Sequence, residues 1–248
     1  MEIRGERECR NCGTRWRYYD TGSVACPSCG SPVSVGVDER TRHTDTPVEL
    51  DLSAARRTAE RSGVVAAAAD VDAEVREFLS RRGFVDAGDL LPLDDTYLAA
   101  AELRHVADVV DRRGRVDEDE ELYLLSLLTG ADRGERPDPD AVPASLAAPR
   151  NVGYAGAVLD YRSEVVTHTR GEAVGPARQT LGRVADHAKR VQALDGDTGV
   201  TETEALVAAT RAVRDALTGD EAALARAGAR RDARAQTAPR ATSAPPPH

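Results

Sequence analysis

The sequence predicts a mainly α-helical protein, a bundle of about six or seven helices preceded by a small β module. Three observations predict it. All four cysteines fall in two Cys-x2-Cys pairs near the N-terminus, Cys9/Cys12 and Cys26/Cys29. From about Ser53 onward, apolar residues recur at spacings of three and four. Aromatic residues make up only 4% of the chain and Ile3 is the only isoleucine. Ala, Val and Leu must therefore supply the packing, which favours closely spaced helices.

Residues 1–37 read as a metal-knit β ribbon. Thirteen residues separate the cysteine pairs, which suits two tight knuckles at the ends of a short hairpin closing one tetrahedral site. Each pair continues into glycine, Gly13 and Gly30, so the backbone can turn through positive φ and aim amide N–H groups at the sulfurs. Pro27 pre-sets φ in the second knuckle. Four thiolates satisfy a borderline-soft d¹⁰ ion completely, so structural Zn²⁺ is the expected cofactor, with iron the alternative. Arg15 to Tyr19 reads as one strand and Pro32 to Val37 as another, with Val33, Val35 and Val37 alternating. So small a module buries too little surface to fold alone, and the metal supplies much of its stability.

A polar connector, 38–52, leads to a helical region at 53–130. Asp70 is a candidate cap for a helix carrying Val71, Val75 and Phe78, ended by Gly83. Asp94 or Asp95 starts the next, whose stripe is Ala99, Leu103, Val106 and Val110. Asp117-x-x-Glu120 resembles a capping box for Leu122 to Leu128. Apolar residues circle that helix almost completely, which predicts a central position. The acid run Asp117 to Glu121 reads as a solvated cap that complements the helix dipole.

Residues 131–150 contain Pro137, Pro139, Pro143 and Pro149 with no apolar period, and read as a linker or draped loop. A second helical region, 151–228, begins with Tyr154, Val158, Tyr161 and Val165. After Gly175-Pro176 come Leu181, Val184, Ala188 and Val191, stopped by Asp195-Gly196. Thr201-x-x-Glu204 suggests another capping box, before Leu206, Thr210, Val213 and Leu217. The tail 229–248 lacks large apolar residues and is expected to be disordered.

Net charge is −9, and Lys189 is the sole lysine among 33 basic residues. Residues 1–37 hold five arginines against four acids, a formal +1, so the remainder carries −10. That balance opposes strong nucleic-acid binding, which depends on neutralising phosphates. The first residues carry charges rather than an apolar run, and the longest apolar stretch, Val64 to Ala69, is too short to span a bilayer. The expectation is a cytoplasmic protein without a membrane anchor.

No phosphate loop, dinucleotide fingerprint or serine elbow is present, and no cysteine remains to serve as a nucleophile. Glu102-x-x-His105 is half of a di-iron carboxylate motif, but Glu164 and His168 stand four apart and do not complete it. His168 and His187 read as structural residues on helices. Enzymatic activity is not expected. Candidate contacts are Arg15, Trp16, Arg17 and Tyr19, helped by Arg10: this mix of cation and aromatic ring suits a protein interface or a nucleobase stack. The competing reading has Trp16 and a tyrosine covering the ribbon's tiny core. Strand alternation would put Trp16 and Tyr18 on one face and Arg15, Arg17 and Tyr19 on the other.

In its knuckles and its acidic, arginine-dominated composition, the chain resembles the uncharacterised haloarchaeal proteins with a TFIIB-type zinc ribbon. The resemblance rests on Cys9, Cys12, Gly13, Cys26, Cys29 and Gly30 and covers about the first 37 residues. It implies zinc and contact with transcription machinery. The body shows neither the paired helical repeats nor the basic surface of a true initiation factor. The reading is a non-enzymatic, zinc-binding adaptor that holds a protein partner. A rubredoxin- or rubrerythrin-like iron electron-transfer protein is the alternative, because such iron centres also use paired Cys-x2-Cys-Gly knuckles.

Overall fold

The computed structural model describes residues 2–170, 175–220 and 222–226. Its N-terminal part is built from β1 (Glu2–Arg4), β2 (Glu6–Cys9), β3 (Arg15–Arg17), a helical turn α1 (Tyr18–Thr21), β4 (Ser34–Gly36) and β5 (Arg40–Arg42). β2 is the middle of a three-stranded antiparallel sheet, with Glu8 opposite Arg15 on β3 and Val35 on β4. β1 pairs with β5, setting Ile3 opposite Thr41. The module therefore runs to Arg42, past the expected limit at 37. Asp38 makes the extension: its carboxylate accepts the N–H groups of Gly5 and Glu6, both at 3.0 Å, and steers the chain from β4 into β5. The first expected strand stops at Arg17, because the Gly22 N–H bonds Tyr18 O at 2.7 Å and closes a helical turn.

The body contains α2 (Ser53–Ser62), α3 (Val64–Arg81), a hairpin of β6 (Val85–Asp86) and β7 (Asp89–Leu90), α4 (Asp95–Arg113), α5 (Glu118–Gly130), α6 (Ala144–His168), α7 (Gly175–Ala193) and α8 (Val200–Leu217). Seven helices of ten or more residues are thus present among the described residues. All seven contribute to one continuous apolar core that runs from Leu50 to Val213. The expected stripes lie in it: Ala99, Leu103, Val106 and Val110 of α4, and Tyr154, Val158, Tyr161 and Val165 of α6, are buried. Asp94 caps α4, accepting the Tyr97 N–H at 2.7 Å. Asp117 and Glu120 form a reciprocal capping box on α5.

Four expectations change. The central helix is α4, buried without a break from Tyr97 to Leu103 between α3 and α6. α5 lies at the edge: Tyr123, Leu124, Leu127 and Leu128 face inward while Leu122 and Leu125 face water. Asp70 does not start a helix, because the helix-forming run Val64 to Ala69 extends α3 upstream of it. Its carboxylate instead accepts the Thr58 hydroxyl at 2.8 Å and ties α2 to α3.

α6 begins at Ala144, inside the expected linker, with Pro149 in its first turns. Proline cannot serve the carbonyl four residues back, and Arg113 Nη2 reaches that carbonyl, on Ser145, at 3.5 Å. The prolines at 131–150 therefore do not separate two cores. Finally, Thr201 and Glu204 form no capping box: α8 starts after Gly199, and the Glu204 carboxylate is engaged elsewhere.

Close backbone approach fixes the crossing of α4 and α6. A Cβ on Gly153 would stand 2.6 Å from the carbonyl oxygen of Ala101, so only glycine fits there. The connector is equally specific. Thr44 and Asp45 donate N–H groups to Val85 O at 2.9 and 3.2 Å, and Glu164 of α6 accepts the Thr44 hydroxyl and the Phe84 N–H. The expected disordered tail, 229–248, lies outside the described residues. No helix among those described is long and apolar enough to cross a membrane.

Candidate metal centre

Two knuckles with the same hydrogen-bond pattern bring the cysteines together. Cys9 N donates to Thr14 O and Gly13 N to Cys9 O in the first; Cys26 N donates to Ser31 O and Gly30 N to Cys26 O in the second, all between 2.9 and 3.0 Å. Gly13 and Gly30 close these turns at φ of +73° and +70°, a conformation that costs other residues about 1 kcal/mol or more.

The four sulfurs lie within 4.8 Å of one another. Cys9–Cys29 and Cys12–Cys26, each pairing one knuckle with the other, stand 3.6 Å apart. A tetrahedral ion with bonds of about 2.3 Å needs edges of about 3.8 Å, so the donor set fits one four-coordinate ion. The inner cysteines, Cys9 and Cys26, are buried against Trp16, whose indole N–H donates to Ser23 O at 3.2 Å. The outer pair, Cys12 and Cys29, is exposed.

The surroundings favour thiolate at Cys12 and Cys9. The Thr14 hydroxyl, 3.2 Å from Cys12 Sγ, together with the Thr14 amide, lowers the Cys12 thiol to about 6. Cys9 is also lowered, chiefly by the amide of Cys12. Ser31's amide lowers Cys29, yet its bond to Cys12 and its burial raise it overall to about 11. Four clustered sulfurs cannot all carry charge without a cation between them. A divalent ion removes that conflict.

The candidate contacts divide by environment. Trp16 and Tyr19 are buried, whereas Arg15 and Arg17 are exposed and paired with Glu8 and Glu6. Tyr19 leaves the strand face expected for it because α1 turns it inward, where its ring packs tilted against His43, centroids 4.5 Å apart, and its hydroxyl bonds Thr41. Ala87 N donates to His43 Nδ1 at 3.4 Å, and burial lowers the pKa of this histidine against the pull of Asp86 and Asp45. The exposed large apolar residues of the ribbon are Val24, Val33 and Val37.

A second constellation lies in the body. Glu102 and Arg150 are completely buried, and the Glu102 carboxylate accepts from Tyr123 and Tyr154 and pairs with Arg150. Arg150 bonds Glu204, Arg136 bridges Glu204 and Asp95, and Arg211 ends the chain on Asp95. Burial raises the Glu102 carboxyl, with Arg150 opposing. The glutamate of the half-motif Glu102-x-x-His105 is therefore spent on this network. Among the described residues, the cysteines are the one group placed to hold a metal ion.

The network was missed although it left a signal: Arg150 extends the stripe Tyr154, Val158, Tyr161 backward by one turn. Glu102 stands between Leu98 and Val106 at the same spacing of four. Opposite charges on two apolar stripes mark a buried pair.

A family model described as "Family of unknown function (DUF7117)" matches residues 1–231. No curated protein and no solved structure matches the chain.

Proposed function

We propose that this chain, which belongs to the DUF7117 family, is a non-enzymatic, zinc-dependent adaptor whose ribbon holds a protein partner. The observation that carries the reading is the closure of the four-sulfur site: all sulfurs lie within 4.8 Å, leaving no position for a reactive water. Such a site builds a surface. Val24 and Val33, 47% and 59% exposed, supply apolar contact on it. The bond from Ser34 Oγ to Val24 O, 2.6 Å, sets the Val24 segment beside β4, and Arg10 N on Val33 O places an exposed arginine next to them.

The ribbon's likeness to TFIIB-type zinc ribbons supports a place beside transcription machinery in the cytoplasm of a salt-loving archaeon. Its charge supports a protein over a nucleic acid as partner, with any nucleic-acid contact weak. Trp16 and Tyr19 serve the module's interior in this reading, and Arg10, Arg15, Arg17 and the valines serve the contact.

Metal analysis of chain purified without added metal is expected to find one colourless Zn²⁺ per chain. A red, redox-active centre would replace the reading with iron electron transfer. Val24→Ser/Val33→Ser is expected to keep metal and melting temperature while losing partners captured by the parent; unchanged capture would remove these valines from the contact.

A further inference from the structure

We propose that the outer face of α5 is a docking surface for a basic amphipathic helix of a partner protein, separate from the ribbon. Leu122 and Leu125 stand three apart on one line of this helix and are 60% and 37% exposed. The inner face is already occupied: Tyr123, Leu124, Leu127 and Leu128 are buried in the core, against α4 and α2. A helix that ends at a solvated surface needs leucine on one side only. This one carries leucine on both, the pattern of an element meant to be covered twice.

The flanking charge selects the occupant. Within the acid run, Glu120 turns inward to Arg113, Ser145 and the Asp117 amide. Glu118, Asp119 and Glu121 turn outward, exposed, and none forms an ion pair among the described residues. Capping and the helix dipole account for acids at this end, but not for the leucines beside them.

An apolar pair rimmed by one sign of charge fits a helix with apolar anchors one turn apart and arginine or lysine on its flanks. A second copy of this chain would set carboxylate rim against carboxylate rim in direct contact, with no counter-charge to pair them. Nucleic acid and anionic lipid carry the wrong sign. The chain's own residues 227–248 include arginines but no Leu, Ile, Val, Met or aromatic side chain to cover the leucines.

The test uses the metal-loaded full chain and three labelled synthetic helical peptides in anisotropy titrations. One carries leucines at i, i+3, i+4 and i+7 flanked by arginines; the second has Glu in place of Arg, the third Ser in place of Leu. The first is expected to bind saturably and each of the others at least tenfold more weakly. Leu122→Ser/Leu125→Ser should melt like the parent, since both side chains are solvent-facing, and should weaken the first peptide at least tenfold. Neutralising Glu118, Asp119 and Glu121 should weaken it and flatten its salt dependence, whereas neutralising exposed Glu49, Glu74 and Asp186 should not. Equal affinity for the double-serine variant overturns the proposal, as does equal loss from the control neutralisation. A concentration-dependent dimer of the parent that the double-serine variant abolishes would assign the face to a second copy and overturn it too.

Discussion

The ribbon and the helical body solve the same problem by different means. The buried cluster around the ribbon's metal site consists of Cys9, Trp16 and Cys26 alone, while the body holds one apolar core contributed by seven helices. The ribbon gathers four sulfurs placed so that they could hold one metal ion. The body gathers opposite charges, Glu102 against Arg150 and Glu204 against Arg136, that reconcile one another. Order in one region is thus expected to depend on an ion, and in the other to be intrinsic to the chain.

The largest expected effect breaks that comparison at the ribbon. Structural zinc supplies on the order of 10–16 kcal/mol in small ribbon-like modules, more than a three-residue cluster can replace. Chelation, or Cys26→Ser, is expected to abolish amide protection in residues 2–42 while the far-UV helical signal barely changes. Loss of the helical signal in the same transition would show that the body depends on the ion as well.

Next in size is the charge network. Arg150→Ala leaves Glu102 buried with only its two tyrosine hydroxyls, and breaking such a pair costs about 3–5 kcal/mol. Denaturant melts should register that loss in the helical transition, with metal content unchanged. A cost below about 1 kcal/mol would mean that the network is hydrated and of little weight.

A pH titration sharpens the same point. Burial raises the folded-state carboxyl of Glu102 above the unfolded value of about 4.3. Its contribution is therefore complete below that value and is lost as pH rises toward the folded pKa, by at most about 1.4 kcal/mol per pH unit. Glu102→Gln is expected to flatten that slope. An identical slope in the variant would assign the pH dependence to other groups.

The smallest effect lies in the knuckles. Nothing stands within 4 Å of a Cβ built on Gly13, so Gly13→Ala meets only the cost of positive φ, about 1 kcal/mol. Competition with a chelator should show metal affinity falling by about tenfold or less. A complete loss would mean that the turn does more than present Cys12.

What the chain's sequence revealed follows the same division. The cysteine spacing and the stripes of α4 and α6 were legible because each is a short-range pattern that the structure uses locally. Thr201 and Glu204 misled because a long-range partner, Arg150, outbids the local cap. The start of α6 was hidden because Pro149 looks like a breaker until Arg113 is known to serve the carbonyl it strands. Tyr19 looked like a contact because strand alternation says nothing of the turn at Gly22 that folds it against His43 and Thr41, while the buried Trp16 matches the competing reading in which it covers the ribbon's core. α5 looked central because sequence records how apolar a helix is, and not which of its faces the rest of the chain covers.

The contact of Gly153 with Ala101 reaches beyond this molecule. Position 153 should tolerate almost no drift through descent, since any side chain would wedge apart the two helices that carry both ends of the Glu102–Arg150 pair. A descendant bearing alanine there would need a compensating shift along the whole crossing, so glycine at this site is expected wherever the α4–α6 approach is kept.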